Sequence, residues 1–441
     1  MSTHPYVVGP RSPPTPCLIL RNAQATQPRL DQERSHKPSA IRRGINLERT
    51  LSKILTMNRG NLSYQVTEGK FFWMNMSTFK EIRQTPDYLF ARFLLMVTVV
   101  QSEMYLDNSD AEKNLDGLVL ITCGSLAASK IIQFRIRPAA LISNFTSAVE
   151  DYNELRDEEK RVIMRKHAYM GRVASASVIC FAYFSSILFI TVPMLAEEEE
   201  KDIVNVTEES ITEYPLPSEN VIAVIKMPDN LHFIVFIVEY LMLLFLSTGN
   251  IGSDSLFFGI IFHLCGQVEI LRLEFNRLNN ENEKAMEHFI SLTKRHIYLL
   301  KLAKMLSETI SSILIVQLFT SCILICTSGL QFIIALSVGN IVMTIKSFIV
   351  SSTLLLQLFA YSYVGEYLKR QMEAVGNSVY FCSWYDIPKC VAKDIIYVIM
   401  RTQDPVFLKA GKFFVVNMET YMSIIKTSMS YLSVLRVMVT T

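Results

Sequence analysis

The sequence predicts an all-α membrane protein with seven transmembrane helices, a cytoplasmic amino terminus, an extracellular carboxyl terminus and a helical anchor region on the cytoplasmic side. Three observations carry this. Half of the 441 residues are apolar, only 19% are charged and mean hydropathy is +0.27, a profile that a water-soluble enzyme does not share. Apolar runs of spanning length recur from about residue 86 to the end. Charges between those runs are unevenly divided, which assigns the connections to opposite sides.

Taken in order, residues 1–68 are rich in Arg, Pro, Ser and Thr without a sustained apolar period, and are expected to form a disordered cytoplasmic tail. Met57 offers an internal start, so the stretch before it reads as an upstream extension of the gene. No cleavable signal peptide is expected. Residues 69–404 hold six spans, near 86–106, 116–138, 172–194, 230–257, 306–332 and 335–363, and residues 405–441 hold a seventh near 412–438 after the break at Pro405. Each run can cross about 30 Å of hydrocarbon at about 1.5 Å per residue. The fourth continues as a polar-faced helix, IFHLCGQVEILRLEFNRL. Together with Glu283–Lys304 and the approach to the last span, it carries mixed charges at helical spacing, as expected of a domain beside the membrane.

Charge sets the orientation. Met1–Tyr88 holds thirteen Lys/Arg against six Asp/Glu, whereas Ala196–Asn230 holds two against ten. Lys and Arg also follow spans two, four and six, for example at Arg135, Arg165, Arg272, Lys294 and Lys369. The amino terminus is therefore expected inside and the carboxyl terminus outside. The sequon at Asn205 falls in the acidic outer loop and is the glycosylation candidate, while those at Asn61, Asn75 and Asn144 fall inside and should be unused.

Several classes are excluded. A G-protein-coupled receptor has the opposite orientation, and its D-R-Y and N-P-x-x-Y motifs are absent. There is no HExxH, Walker A, GxGxxG or G-x-S-x-G pattern, so no enzyme is predicted. The eight cysteines form no CxxC pair and read as small buried hydrophobes. The histidines lack ligand spacing, so neither metal nor cofactor is expected. Near-neutral charge argues against nucleic acid.

Pro405–Phe414 (PVFLKAGKFF) and Lys426–Arg436 (KTSMSYLSVLR) closely resemble the carboxyl-terminal signature of insect odorant receptors. Asp254-Ser255-Leu256 with His263 and Gly266-Gln267, and Tyr380 with Ser383-Trp384-Tyr385, are similar to the end of that family's fourth span and the approach to its seventh. The T-Y-x5-Q-F ending of the related gustatory receptors is missing. The resemblance covers about residues 70–441. It implies a subunit of an odorant-gated, non-selective cation channel, assembled as a heterotetramer with a shared odorant receptor co-receptor in the plasma membrane of olfactory neuron dendrites. It also implies small volatile odorants as ligands. A seven-helix receptor that signals through a separate transducer, and a transporter, are the alternatives from other classes. A transporter should show internal repeats, and none is visible.

At about 100° per residue, Thr420, Ser423, Thr427, Ser430, Val434 and Met438 share an arc of about 80° on the last helix. Around a fourfold axis such a stripe would wall a pore with hydroxyls and close it with an apolar gate. On periodicity alone, close helix packing through small side chains explains the same pattern. By resemblance, Val434 and Met438 align with the family's gate. Glu419 would either attract cations into the inner vestibule or pair with Lys412. Glu239 and Lys346 lie deep inside spans four and six, each costing about 2.5 to 3.5 kcal/mol if left alone. The expectation is a buried pair between them, with separate wet cavities as the alternative. The resemblance places an odorant pocket among the outer halves of spans two, three, four and six. The candidates there are Phe181, Tyr183, Phe184, Leu188, Phe233, Phe236, Tyr240 and Met343, with lipid contact or core packing as the other reading of each.

Overall fold

The computed structural model describes residues 86–106, 111–136, 157–203, 231–278, 285–382, 389–412 and 414–440, with isolated positions between 216 and 224. The tail at 1–68, the sequons at Asn61, Asn75, Asn144 and Asn205, and Ser383-Trp384-Tyr385 lie outside the described residues. The helices are α1 (Pro86–Leu106), α2 (Ala111–Ile136), α3 (Glu158–Ile203), α4 (His232–Asn276), α5 (Ala285–Val338), α6 (Ile341–Tyr380), α7 (Lys389–Thr402) and α8 (Met418–Thr440). Five of them, α2 to α6, are long and apolar enough to cross a membrane. At 21 and 23 residues, α1 and α8 also reach about 30 Å.

Two helix starts depart from expectation for identifiable reasons. The sixth helix starts at Ile341, not at 335, because α5 continues to Val338 and the chain turns at Gly339, whose φ of 78° suits a residue without Cβ. Asn340 then caps α6, its side-chain oxygen accepting from the Met343 amide at 3.1 Å. The last helix starts at Met418, not at 412. Residues 409–415 form instead a two-stranded antiparallel hairpin, β1 (Lys409–Ala410) and β2 (Phe414–Val415), so the fold is not purely helical. Gly411, with φ of 65°, makes the turn.

That hairpin is clamped to α5 by two hydroxyls one helical turn apart. Ser307 donates to the Phe407 carbonyl at 2.8 Å and accepts from the Lys409 amide, while Ser311 donates to the Gly411 carbonyl at 3.2 Å. On the other side α6 comes so close that a Cβ at Gly365 would collide with the Val416 carbonyl oxygen. Asn417 caps α8 through the Thr420 amide at 2.8 Å.

The residues divide into two compact units. The larger takes in the described residues of 65–270, 298–372 and 405–441. One core cluster of it joins α1 to α4 through Met96, Val100, Leu120, Ala127, Ile131, Ile190, Leu243 and Leu246. Gly124 permits the close approach of α2 to α1, since a Cβ there would stand 2.9 Å from the end of Met96. The smaller unit takes in the described residues of 271–297 and 373–404. In it Phe275 meets Phe289 edge-on at 6.2 Å, Arg272 donates to Ser378 at 3.3 Å, and Ile395 and Val398 turn the apolar face of α7 inward. His296 is buried there. Burial, reinforced by the positive charge of Arg401, lowers its pKa to about 4, so it is neutral at physiological pH.

Candidate ligand cavity and last-helix stripe

The expected pair of Glu239 with Lys346 does not form. Glu239, on α4 and 6% exposed, accepts from the Ser218 hydroxyl at 2.6 Å and from the Leu216 amide at 3.2 Å. Lys346 on α6 is bonded instead to Asp116 on α2, and its ammonium stands 4.2 Å from the centre of the Phe189 ring on α3. Lys346 thus finds its counter-charge on a neighbouring helix, whereas Glu239 is satisfied by residues 216 and 218 of the connection between α3 and α4. Depth along a span is readable from residue count, but the partner depends on which way each helix is rotated.

Asp116 also accepts from Gln331 of α5, at 2.7 Å. These groups border a cavity whose other walls are apolar apart from Ser347: Val119, Phe189, Met343 and Val350. At about 10 Å³ it has room for one water, so any larger guest requires the walls to move. Asp116 and Lys346 retain 18% side-chain exposure. Asp116 lies five residues into α2, Lys346 five residues into α6 and Gln331 seven residues before the end of α5. The cluster therefore sits roughly 8 to 10 Å from the helix ends joined by the 106–111 and 338–341 connections.

Of the eight aromatic and aliphatic candidates, Met343 is on this cavity. Phe236 and Tyr240 pack against the core cluster of α1 to α4, and Tyr183 bonds Thr248 through its hydroxyl at 2.7 Å. Leu188 is half-buried. Phe181, Phe184 and Phe233 point outward, with Phe233 71% exposed.

A second polar centre went unnoticed in the sequence. Lys130 of α2 and Asp254 of α4, 1% and 0% exposed, form an ion pair at 2.7 Å. Asp254 accepts further from Gln357 of α6 at 2.7 Å, from Ser253 at 3.1 Å and from Tyr361. Lys130 also donates to the Asn250 carbonyl at 2.9 Å. A buried charge needs such compensation, and here one carboxylate ties three helices together. The signal was available: Lys130 interrupts the apolar run GSLAASKIIQF inside the second predicted span, as Lys346 interrupts the sixth.

On α8, Ser423, Thr427, Ser430 and Val434 are exposed in the isolated chain, Val434 to 55%; the Met438 side chain lies outside the described residues. The opposite side is anchored by Ser428, 4% exposed, and by Leu432, which fits against the bare backbone at Gly329 of α5. Glu419 and Lys412 are both exposed. The stripe therefore lies on a face that the chain's own helices leave uncovered.

A family model described as 7tm Odorant receptor matches residues 117–429. Odorant receptor 13a of Drosophila melanogaster is 26% identical over 204 residues, covering 42% of this chain and 48% of that protein. Odorant receptor Or2 of Anopheles gambiae is 20% identical over 293 residues, 64% of this chain and 72% of its own length. The matched part thus spans about half the length of the first of these relatives. Among solved structures, the insect olfactory receptor OR5 from Machilis hrabei in complex with eugenol superposes with a TM-score of 0.63 at 13% identity, over 80% of this chain and 88% of that one. The same receptor without that ligand gives 0.61 at 15% identity, over 79% and 87%. These structural likenesses show a shared seven-helix fold, and the family model runs from the second helix through most of the last, so the chain belongs to the 7tm odorant receptor family.

Proposed function

We propose that the chain is the odorant-binding subunit of a heteromeric, ligand-gated, non-selective cation channel in the plasma membrane, assembled as a heterotetramer with an odorant receptor co-receptor. The observation that carries this is the uncovered stripe of α8. Three hydroxyls at helical spacing, Ser423, Thr427 and Ser430, followed by Val434, stand exposed in one chain. A polar stripe left open by its own subunit needs other subunits and water to cover it. Around a shared axis the hydroxyls replace part of an ion's hydration, and Val434 with Met438 forms a constriction that empties of water when narrow. Glu419, exposed in the first turn, adds negative charge at the cytoplasmic mouth. The loop charges support this orientation, with the acidic loop and Asn205 outside.

Ligand binding in the cavity among α2, α3, α5 and α6 would favour a rearrangement of α5 and α6. Both helices hold the hairpin that leads into α8, through Ser307, Ser311 and Gly365. A route from cavity to gate therefore runs through elements in direct contact, α5 by hydrogen bonds and α6 by close approach at Gly365. That a protein of the same fold was solved with eugenol supports a small-molecule site.

The decisive experiment is a recording from cells expressing the chain with an insect co-receptor. An odorant-evoked cation current that persists with G-protein signalling blocked is expected, and Val434→Ala or Met438→Ala should change conduction or raise the resting leak. A response abolished by the block would point to a separate transducer. A current indifferent to both substitutions would remove the last helix from the pore.

A further inference from the structure

We propose that Asp116, Gln331 and Lys346 form a head-group subsite in the cavity, selecting neutral odorants that carry a hydrogen-bonding oxygen, namely alcohols, aldehydes and ketones, over hydrocarbons and over ionised acids or amines. The inference rests on the receptor function proposed above and specifies its ligand class.

Three observations support it. First, the cluster is electrically closed. Asp116 and Lys346 neutralise each other, so a carboxylate guest would leave one excess negative charge in a low-dielectric site and an ammonium one excess positive charge, each costly to bury. A neutral dipole leaves the pair intact. Second, bonding capacity remains at the cavity wall. Among the described residues the Lys346 ammonium donates to Asp116, rests against the Phe189 ring and has further N–H groups to offer. Each Asp116 oxygen can accept more than its one bond from Lys346 or Gln331. A hydroxyl can both accept from Lys346 and donate to Asp116, whereas a carbonyl oxygen can accept from Lys346. Third, the polar groups hold one part of the cavity, while Val119, Phe189, Met343 and Val350 offer apolar wall for a hydrocarbon tail. The present space, that of one water, marks where the guest oxygen would sit; Met343, unbranched and flexible, is the wall suited to yield for the tail. A hydrocarbon would cover these polar groups without offering them a hydrogen bond, which costs affinity.

The test uses the full chain with its co-receptor and matched series of n-alkanes, n-alkanols, n-alkanals, methyl ketones, n-alkanoic acids and n-alkylamines over a ladder of chain lengths. Alkanols, alkanals or ketones should evoke current at concentrations at least about tenfold below those of the equal-length alkane, acid and amine, the loss expected for one charge-assisted hydrogen bond. Gln331→Leu, and the doubly neutral Asp116→Asn with Lys346→Gln, should each raise the half-maximal concentration of the best oxygenated compound. The double variant avoids the stranded charge that Lys346→Met would leave and which would cost folding. Surface labelling establishes that each variant reaches the membrane. Alkanes as potent as alkanols, or half-maximal concentrations unchanged in both surface-expressed variants, would overturn the subsite while leaving the channel function standing. Absence of current to every compound, with both subunits at the surface, would overturn the function and the subsite together.

Discussion

The Lys130–Asp254 pair permits a quantitative prediction because its two partners are unequally supported. If Lys130 is replaced by Met, Asp254 keeps the donors of Gln357 at 2.7 Å, Ser253 at 3.1 Å and Tyr361. Bonds to a charged group contribute about 1.5 to 3 kcal/mol each, so the carboxylate remains largely compensated. If Asp254 is replaced by Asn, Lys130 keeps the Asn250 carbonyl at 2.9 Å while its charge, 1% exposed, loses its counter-ion. Breaking a buried pair in that way costs about 3 to 5 kcal/mol. Asp254→Asn should therefore lower thermal stability and surface expression more than Lys130→Met, and Lys130→Met combined with Asp254→Asn should recover much of what Asp254→Asn alone loses. Thermal unfolding of the detergent-solubilised complex, read by size-exclusion fluorescence, measures both. Equal losses in the two single variants, or a double variant no better than Asp254→Asn alone, would refute the unequal-support argument.

Other expectations follow from the same contacts. Exchanging Glu239 and Lys346 for each other's charge should not restore expression lost in either single variant, whereas Asp116→Lys with Lys346→Asp should restore part of it, as surface biotinylation would show. Gly365→Ala should displace the Val416 carbonyl, shift the hairpin and impair gating while ligand binding survives; binding measured apart from current separates the two. His296, ordinarily titrating near 6.5, has a folded pKa of about 4. Between those values the unfolded chain binds a proton that the folded chain refuses, so stability falls as pH drops through this window and is fully present above it. The loss reaches about 3 kcal/mol by pH 4, and His296→Phe should flatten the dependence in pH-resolved unfolding.

Much of the architecture follows from hydropathy and loop charge. The first span matches α1 at both ends, the long third helix contains its predicted span, and the fourth helix begins two residues after the start expected for its span. The hairpin is not legible in the sequence because Phe413-Phe414-Val415 runs on into the apolar helix after it; its turn is set by Gly411 at positive φ and its place by hydroxyls on α5 a hundred residues earlier. The hydroxyl stripe was legible because it lies within one helix, where spacing alone fixes which side chains share a face.

By itself the sequence determined the membrane class, the number and order of the spans, the family through its terminal motif, and the face on which Ser423, Thr427, Ser430 and Val434 lie. Tertiary structure alone decided which partner each buried charge takes: Asp116 with Lys346, Lys130 with Asp254, and the Ser218 hydroxyl for Glu239. The reason is geometric. Position along a span accumulates by about 1.5 Å per residue and tolerates small errors, but direction turns by about 100° per residue. The partner of a buried charge therefore depends on how each helix is rotated against its neighbours, and packing between helices sets that rotation.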